Sequence, residues 1–227
     1  MPAHLGVFGT RNYVFRNTEY YAVFQLQLTA ALLSDRDPVR RGVSLATAWA
    51  WYMEGDRCVE GTRSFFTASE IATPVTNACR MLAMPGRTRL CARSGQVAGR
   101  DGGGGAAGAL ATAGDDGGAA VIVWNHNDDQ YARGASRVDL AARHPGCAGR
   151  PVRIREYRID SEHSNSHTAW VRLGRPQCPT PEQIAAIRAR ESLEMVSDQT
   201  LSGCPGTITT TLTLPCPGAV LVRICPR

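Results

Sequence analysis

The sequence predicts a mixed α+β protein, with helices near the start and short strands in most of the rest of the 227-residue chain. Two observations support this prediction. Apolar residues recur at helical spacing over residues 17–34 and again after Thr73. From Arg87 onward, runs of strand-forming residues alternate with turn signals, which is typical of a β-sandwich.

The first helix is predicted over residues 17–34, with Asn17 or Thr18 as its N-cap. Side chains that recur every three or four positions share one helix face, because an α-helix turns once in about 3.6 residues. We expect that face to be buried. It comprises Tyr21, Phe24, Leu28, Ala31 and Leu32.

A buried strand and a second helix follow. The strand is predicted over Val43–Tyr52. The helix starts at Thr73 and Pro74 and ends near Pro85. Its inward side chains are predicted to be Val75, Ala78 and Leu82. The order helix, strand, helix is that of one and a half units of a (β/α)8 barrel.

Six later segments have the composition of strands, and T-I-T-T-T-L-T-L alternates with the period of a half-buried strand. Between them, Gly99–Ala120 contains four consecutive glycines, but a phosphate-binding loop needs G-K-[ST] and the chain has no lysine. We therefore predict a mobile loop there. The predicted strands are Thr88–Ala92, Ala119–Asn125, Arg137–Leu140, Val152–Ile159, Thr207–Leu214 and Ala219–Ile224.

The segment T-P-E-Q predicts the start of a short helix. Thr180 can cap it, Pro181 fits the first helical position, and Gln183 completes a capping box. The strand-like run Val152–Ile159 and a loop dense in acid, histidine and asparagine come before it. The whole segment therefore predicts a strand, an ordered polar loop and a helix.

Charge and composition argue against two classes of partner. The formal charge is +5, but the 25 basic residues are all arginine and are scattered among 20 acidic residues. Because no basic stripe or reader motif occurs, we expect no nucleic acid as partner. No apolar run approaches the ~20 residues of a membrane helix, so we expect no membrane association.

The eight cysteines form no C-x-x-C pair, and their irregular spacing disfavours a zinc module. An even number would allow disulfides in a secreted protein. The N-terminus lacks the charged segment and apolar run of a signal peptide. We therefore expect a cytoplasmic protein whose thiols are reduced and mostly buried.

Three segments resemble glycoside hydrolase family 39, the group of bacterial β-xylosidases and α-L-iduronidase-like enzymes. R-I-D-S-E-H-S-N at 158–165 leads to Trp170 and then to P-T-P-E-Q, as a similar stretch does in that family. The second segment, Thr47–Thr67, is followed by T-P-V-T-N-A-C-R-M-L and resembles the end of the family's catalytic barrel. The third, F-R-N-T-E-Y-Y-A at 15–22, resembles the helix before that strand.

The sequence departs from the family pattern at two positions. Thr73 stands before the proline, where the family usually has lysine, and Cys79 stands where the family usually has phenylalanine. The resemblance nevertheless runs from about residue 13 to the C-terminus.

The resemblance implies both a fold and an activity. Residues 1–86 would be the terminal units of a (β/α)8 barrel, and residues 87–227 would be a β-sandwich domain. The implied activity is retaining hydrolysis of O-glycosyl bonds in β-xyloside-like substrates, without a cofactor and without a metal. A carbohydrate is accordingly the expected partner.

Catalysis in the family requires an acid/base glutamate in an N-E-P segment and a nucleophilic glutamate on a later strand. Neither is recognisable in this sequence, so we expect no catalytic residue and a C-terminal portion that is inactive by itself. A barrel strand without its neighbours leaves apolar surface in water, which predicts self-association or a missing N-terminal half as partner. Two alternatives stay open: a non-catalytic carbohydrate-binding or interaction sandwich, and an inactive truncated gene product.

Four residues are candidates for substrate binding. Glu54 lies just beyond the C-terminal end of the predicted barrel strand, on the face where barrel enzymes build their sites. Trp49 and Trp51 share one strand face and could stack on a sugar ring, as the resemblance also implies. Arg63 could pair with Glu54 or Glu60. Alternatively, both tryptophans are core residues and the acids cap the turn.

Two polar clusters contain residue types that ligate metals. The first comprises Asp160, Glu162, His163 and His167, and the second comprises His126, Asp128 and Asp129. Neither spacing matches a metal-binding motif. For the first cluster we favour an ordered loop hydrogen-bonded to backbone, and for the second a strand-ending turn.

Overall fold

The computed structural model describes residues 15–34, 58–59, 64–93, 106–144 and 147–226. The chain divides into two compact units. Met1–Arg80 and Ile159–Glu194 form the first unit, and Met81–Arg158 and Met195–Arg227 form the second. Each unit is therefore built from two separate stretches of the chain.

The described part of the first unit is mainly helical. Its helices are α1 (Glu19–Ser34), α2 (Pro74–Leu82, which crosses the boundary at Arg80), α3 (Ser166–Arg172) and α4 (Pro181–Arg188). A buried apolar cluster joins α3, α4 and the residues before α2. Its members are Val59, Ile71, Trp170 and Ile187. Among the described helices, none is both long and apolar enough to cross a membrane.

The predicted buried face of α1 is wrong. Tyr21 is buried, but Phe24 and Leu28 are 37% and 39% exposed. The reason is that α1 is apolar on all sides, so spacing alone does not select the buried face. The face that is buried comprises Tyr21, Ala22, Val23, Leu26 and Ala30.

The predicted starts of α2 and α4 are confirmed. Pro74 is the first residue of α2, and Val75 and Ala78 are buried as predicted, although Met81 is buried more fully than Leu82. In α4, the Thr180 hydroxyl accepts from the Gln183 amide at 3.3 Å, and the Gln183 side-chain oxygen accepts from the Thr180 amide at 2.9 Å. This is the capping box that the sequence predicts.

The second unit is a β-sandwich of mostly antiparallel strands. A six-stranded sheet has the order β1-β2-β3-β8-β5-β6, and β4 pairs with β7 in a second sheet. Apolar residues from the facing sides of both sheets pack together, with Val121, Val220, Leu212 and Leu214 among the buried ones. The strands are β1 (Thr88–Leu90), β2 (Ala106–Ala113), β3 (Ala119–His126), β4 (Ala135–Arg143), β5 (Val152–Ile159), β6 (Glu194–Leu201), β7 (Thr207–Pro215) and β8 (Gly218–Pro226).

All six strands predicted from Arg87 onward are present, but two of the observed strands are not predicted. The prediction of a mobile loop is wrong for β2, which pairs with β1 on one side and β3 on the other. Within β2, Gly108 lies opposite Trp124, and a Cβ atom at Gly108 would approach the Trp124 ring to 2.5 Å. β6, at the sheet edge, is the second unpredicted strand.

The prediction of reduced, mostly buried cysteines is also wrong. Cys147 and Cys204 form a disulfide. Of the six cysteines that remain thiols, only Cys216 is buried, whereas Cys79, Cys91 and Cys178 are exposed.

The compact units differ from the predicted division in two segments, the short stretch 81–86, which is grouped with the second unit, and the longer stretch 159–194. The sequence analysis assigns residues 159–194 to the sandwich domain, whereas Ile159–Glu194 is grouped with the first unit. Hydrogen bonds explain this grouping, because Ser166 and Glu191 contact the backbone of Ala72 directly before α2.

Candidate functional site

The four predicted substrate-binding residues, Trp49, Trp51, Glu54 and Arg63, lie outside the described residues, as does the predicted strand Val43–Tyr52. Their roles therefore stay predictions. The described residues that neighbour them along the chain are well anchored: Val59 is 3% exposed and Ser64 is 1% exposed.

A pair of threonine hydroxyls anchors the segment directly after Arg63. The Thr73 hydroxyl donates to the Ser64 carbonyl at 2.8 Å, and the Thr76 hydroxyl donates to the Phe65 carbonyl. The Thr73 amide also donates to the Phe65 carbonyl at 2.9 Å. The start of α2 thereby fixes the backbone position of residues 64–65. Thr73 is one of the two positions at which the sequence departs from the family pattern.

Asp160 organises the polar loop that follows β5. Its side chain is buried, and one carboxylate oxygen accepts from the amides of Glu162 and His163, both at 2.8 Å. The same oxygen lies 2.9 Å from Nδ1 of the His163 ring. A carboxylate that accepts several hydrogen bonds from backbone amides holds the nearby backbone in one conformation. The predicted ordered loop is confirmed by these contacts.

Asn165 connects this loop to two helices. Its side-chain oxygen accepts from the Thr168 amide at 2.9 Å and caps α3. Its amide nitrogen donates to Glu19 in the first turn of α1 at 2.8 Å and to the Asp160 carbonyl at 3.1 Å. Since Asn165 is only 2% exposed, all of these bonds are shielded from water.

The neighbouring Ser164 has a positive φ of 55° and is fully buried. Its amide donates to Glu194 at 2.8 Å, and its hydroxyl accepts from the Glu194 amide at 2.8 Å. The left-handed backbone is costly for a residue other than glycine, so surrounding contacts must hold it. The paired bonds to Glu194 are such contacts.

Asn77 and Glu191 complete the network and were not singled out from the sequence. The Asn77 amide donates to the carbonyls of Ser164 and Glu191 at 2.9 Å and 3.2 Å. The Glu191 carboxylate accepts from the Ala72 amide at 2.9 Å, and its carbonyl accepts from Arg80 at 3.0 Å. Asn77 lies within the P-V-T-N segment of the resemblance, whereas Glu191 carries no sequence signal.

Not all members of the predicted polar cluster come together. Asp160 and His163 are in contact, whereas Glu162 pairs with Arg172 at the surface. His167 is 7% exposed, and its ring contacts Trp170 with centroids 5.6 Å apart. Burial, aided by the positive charge of Arg175, lowers the pKa of His167 to about 4. His167 is therefore neutral at neutral pH.

The second predicted cluster is a strand-ending turn, as predicted. The Asn127 side chain accepts from the Asp129 amide at 2.9 Å, and the Asp129 carboxylate accepts from the Tyr131 amide at 2.9 Å. His126 is buried at the end of β3, and this burial lowers its pKa, while Asp128 opposes the shift. Within the described ranges, no three His, Cys, Asp or Glu side chains are grouped so as to hold a metal ion.

A surface groove of about 440 Å³ opens beside the Asp160–Asn165 loop, between α3 and α4. Its lining combines hydroxyl, amide and charged side chains with the apolar side chains of Ala169, Leu173 and Ala186. Hydroxyl, amide and ion-paired groups of this type can hydrogen-bond sugar hydroxyls, but they provide no nucleophile and no acid/base pair. The lining includes Ser161, Glu162, Asn165, Thr168, Arg172 and Arg190.

The fold is similar to those of several solved glycosidases. A monomeric β-xylosidase from Caulobacter crescentus CB15 has a TM-score of 0.75 and 15% identity over 96% of this chain and 43% of that chain. For the family 39 enzyme from Xanthomonas axonopodis pv. citri, the TM-score is 0.75 at 13% identity, over 96% and 43%. A bacterial orthologue of human α-L-iduronidase has a TM-score of 0.71 and 18% identity, over 95% and 39%.

The chain thus spans less than half the length of these solved structures. At such low identity the likeness concerns the fold, and the chain has part of the fold of these enzymes, a (β/α)8 barrel with a β-sandwich. No curated protein sequence matches the chain significantly. The model of glycosyl hydrolases family 39 matches residues 36–201, which is well over half of the 227 residues, and the chain therefore belongs to this family.

Proposed function

We propose that this chain contributes to the retaining hydrolysis of O-glycosidic bonds in β-xyloside-like carbohydrates, as a C-terminal portion of a family 39 glycosidase. The observation that carries the proposal is the family match over residues 36–201, which includes described residues of both compact units. The likeness to the Caulobacter β-xylosidase supports the choice of substrate class.

Within this function, Trp49, Trp51, Glu54 and Arg63 are proposed to contact the sugar. A tryptophan ring can stack on the apolar face of a pyranose, and a carboxylate can accept from sugar hydroxyls. The threonine anchor at Ser64 supports the proposal, because a contact residue is useful only if the backbone beside it has a fixed position.

The first test is catalytic. The 227 residues contain no N-E-P segment, and retaining hydrolysis needs two carboxylates roughly 5–5.5 Å apart, so Glu54 by itself cannot act as both acid and nucleophile. We expect the purified chain to show no turnover of nitrophenyl β-xyloside or of an aryl α-L-iduronide above background. Turnover that disappears in Glu54→Gln would contradict the proposal that this chain has no catalytic activity by itself.

The second test separates binding from catalysis. Calorimetric titration with xylobiose should give an affinity that falls about 3–10-fold in Trp49→Ala, as expected for the loss of one stacking contact. Glu54→Ala should weaken binding in the same direction. Tyr131→Ala is a matched aromatic control, because Tyr131 is 65% exposed. If the affinity is unchanged in both test variants, Trp49 and Glu54 have no role in sugar binding.

A further inference from the structure

The disulfide joins two connections at one end of the sandwich. Cys147 follows β4 and precedes β5, and Cys204 lies between β6 and β7. Each connection passes from one sheet to the other, since β4 and β7 form the two-stranded sheet while β5 and β6 belong to the six-stranded sheet. The bond therefore links two of the four connections that cross between the sheets.

Backbone contacts hold the two cysteines in register independently of the sulfur bond. The Gly149 amide donates to the Cys204 carbonyl at 2.8 Å, and the Cys204 amide donates to the Arg150 carbonyl at 2.9 Å. Ala148 and Cys204 also form a parallel β-bridge. The Cα atoms of the two cysteines are 5.7 Å apart, at the usual separation for a disulfide.

The sulfur atoms lie in a mainly apolar environment, with the His144 carbonyl oxygen 3.0 Å from Cys147 Sγ. Cys147 and Cys204 are 0% and 3% exposed, and they pack with Val152, Ile208 and Ile224. A dissolved thiol must reach a disulfide sulfur to reduce it, so burial protects this bond in the folded chain. The same burial restricts access of an oxidant after folding.

We propose that Cys147 and Cys204 are a specific oxidation site. Their disulfide forms while the sandwich folds, and the folded sandwich then buries it. A thiolate of one cysteine attacks a disulfide oxidant, RSSR, which forms a mixed disulfide and releases one RS⁻. The second thiolate attacks the protein sulfur of that mixed disulfide and releases the other RS⁻. The oxidant takes up two electrons and leaves as two RSH with the two cysteine protons.

The pairing is selective because the fold aligns these two cysteines. The other six cysteines, at positions 58, 79, 91, 178, 216 and 225, are thiols. Three of these are exposed, so selectivity does not follow from accessibility. It follows from the backbone contacts that bring residues 57 positions apart into register.

The test is a count of thiols in the full chain. Denatured protein is refolded with a mixture of reduced and oxidised glutathione, then unfolded in urea and alkylated for mass spectrometry. We expect six alkylated cysteines and a peptide that links Cys147 to Cys204, in keeping with the six thiols and one disulfide of the structure. Eight alkylated cysteines, or scattered pairings, would overturn the proposal.

Burial is tested with a reductant. Brief treatment of the folded chain with dithiothreitol, followed by its removal, should leave six alkylated cysteines upon unfolding in urea. The same treatment in urea should give all eight. Equal reduction in the two conditions would show that the fold does not protect the disulfide from the reductant.

Variants test the link to folding. In Cys147→Ser/Cys204→Ser, we expect the Tm to fall by roughly 5–15 °C, because the unfolded chain is no longer constrained. The matched control Cys91→Ser/Cys178→Ser removes two exposed thiols and should keep the parent Tm. Equal Tm values for the two double variants would contradict a role in folding. If the first variant does not fold, the thiol counts on the parent chain decide the proposal.

Discussion

His167, in the first turn of α3, illustrates how burial sets the charge of a single residue. Its folded pKa of about 4, lowered by burial and by Arg175, is below its ordinary value of 6.5. Between these two pH values the unfolded chain binds a proton that the folded chain does not bind. The free energy of unfolding therefore decreases as the pH falls through this window and is fully retained above it.

This difference gives a prediction on acid stability. The shift corresponds to a loss on the order of 3 kcal/mol between pH 6.5 and pH 4. His167→Gln should lose this part of the pH dependence, as measured by urea unfolding at pH 7 and pH 4.5. Parallel pH profiles for the parent and His167→Gln would contradict the prediction.

At the same scale, the sequence predicted the loop around Asp160 but not the distant residues that hydrogen-bond to it. The ordered loop around Asp160 could be predicted from the density of groups that hydrogen-bond to nearby backbone. Its partners could not, because the bond from Asn77 to Ser164 spans 87 positions and the bond from Asn77 to Glu191 spans 114. Local spacing carries no information about contacts at such separations.

Among the elements, prediction succeeded where side chains act locally. The capping box at Thr180 and the strand β5 follow from neighbouring residues. The strand β2, A-A-G-A-L-A-T-A, has weak intrinsic strand preference, and it forms because β1 and β3 provide partners on both sides. Its small side chains are also what allows Trp124 to lie over Gly108.

The packing of Trp124 over Gly108 gives a prediction for β2. In Gly108→Ala, the new methyl group would lie 2.5 Å from a ring that is itself 7% exposed and has little room to move. We expect the free energy of unfolding to fall by about 1–3 kcal/mol. Gly203→Ala is the matched control, because no atom lies within 4 Å of the added Cβ. Urea unfolding of both variants should separate them, and equal values would show that the ring moves freely.

At the scale of the whole molecule, the exposed side of α1 predicts self-association. Phe24, Leu28 and Leu33 are 37%, 39% and 56% exposed, and their burial against a second chain would be favourable. We expect the weight-average mass in sedimentation equilibrium to rise with protein concentration. Phe24→Gln/Leu28→Gln should reduce this rise, whereas Leu90→Gln, at a residue that is 38% exposed on β1, should not. A chain that stays monomeric at all concentrations would contradict the prediction.

The discontinuity of the first unit has a consequence for how the protein is made on the ribosome. The Ala72 amide can donate its hydrogen bond to the Glu191 carboxylate only after Glu191, 119 residues later in the chain, has been synthesised. At about 5–20 residues per second, the delay is roughly 6–24 s. During this interval β1 to β5 emerge, yet they still lack β6, β7 and β8. The first unit therefore cannot finish folding before Glu194 has been synthesised, and the second cannot finish before β8 has been synthesised, so the early segments of both units must wait for late segments of the chain.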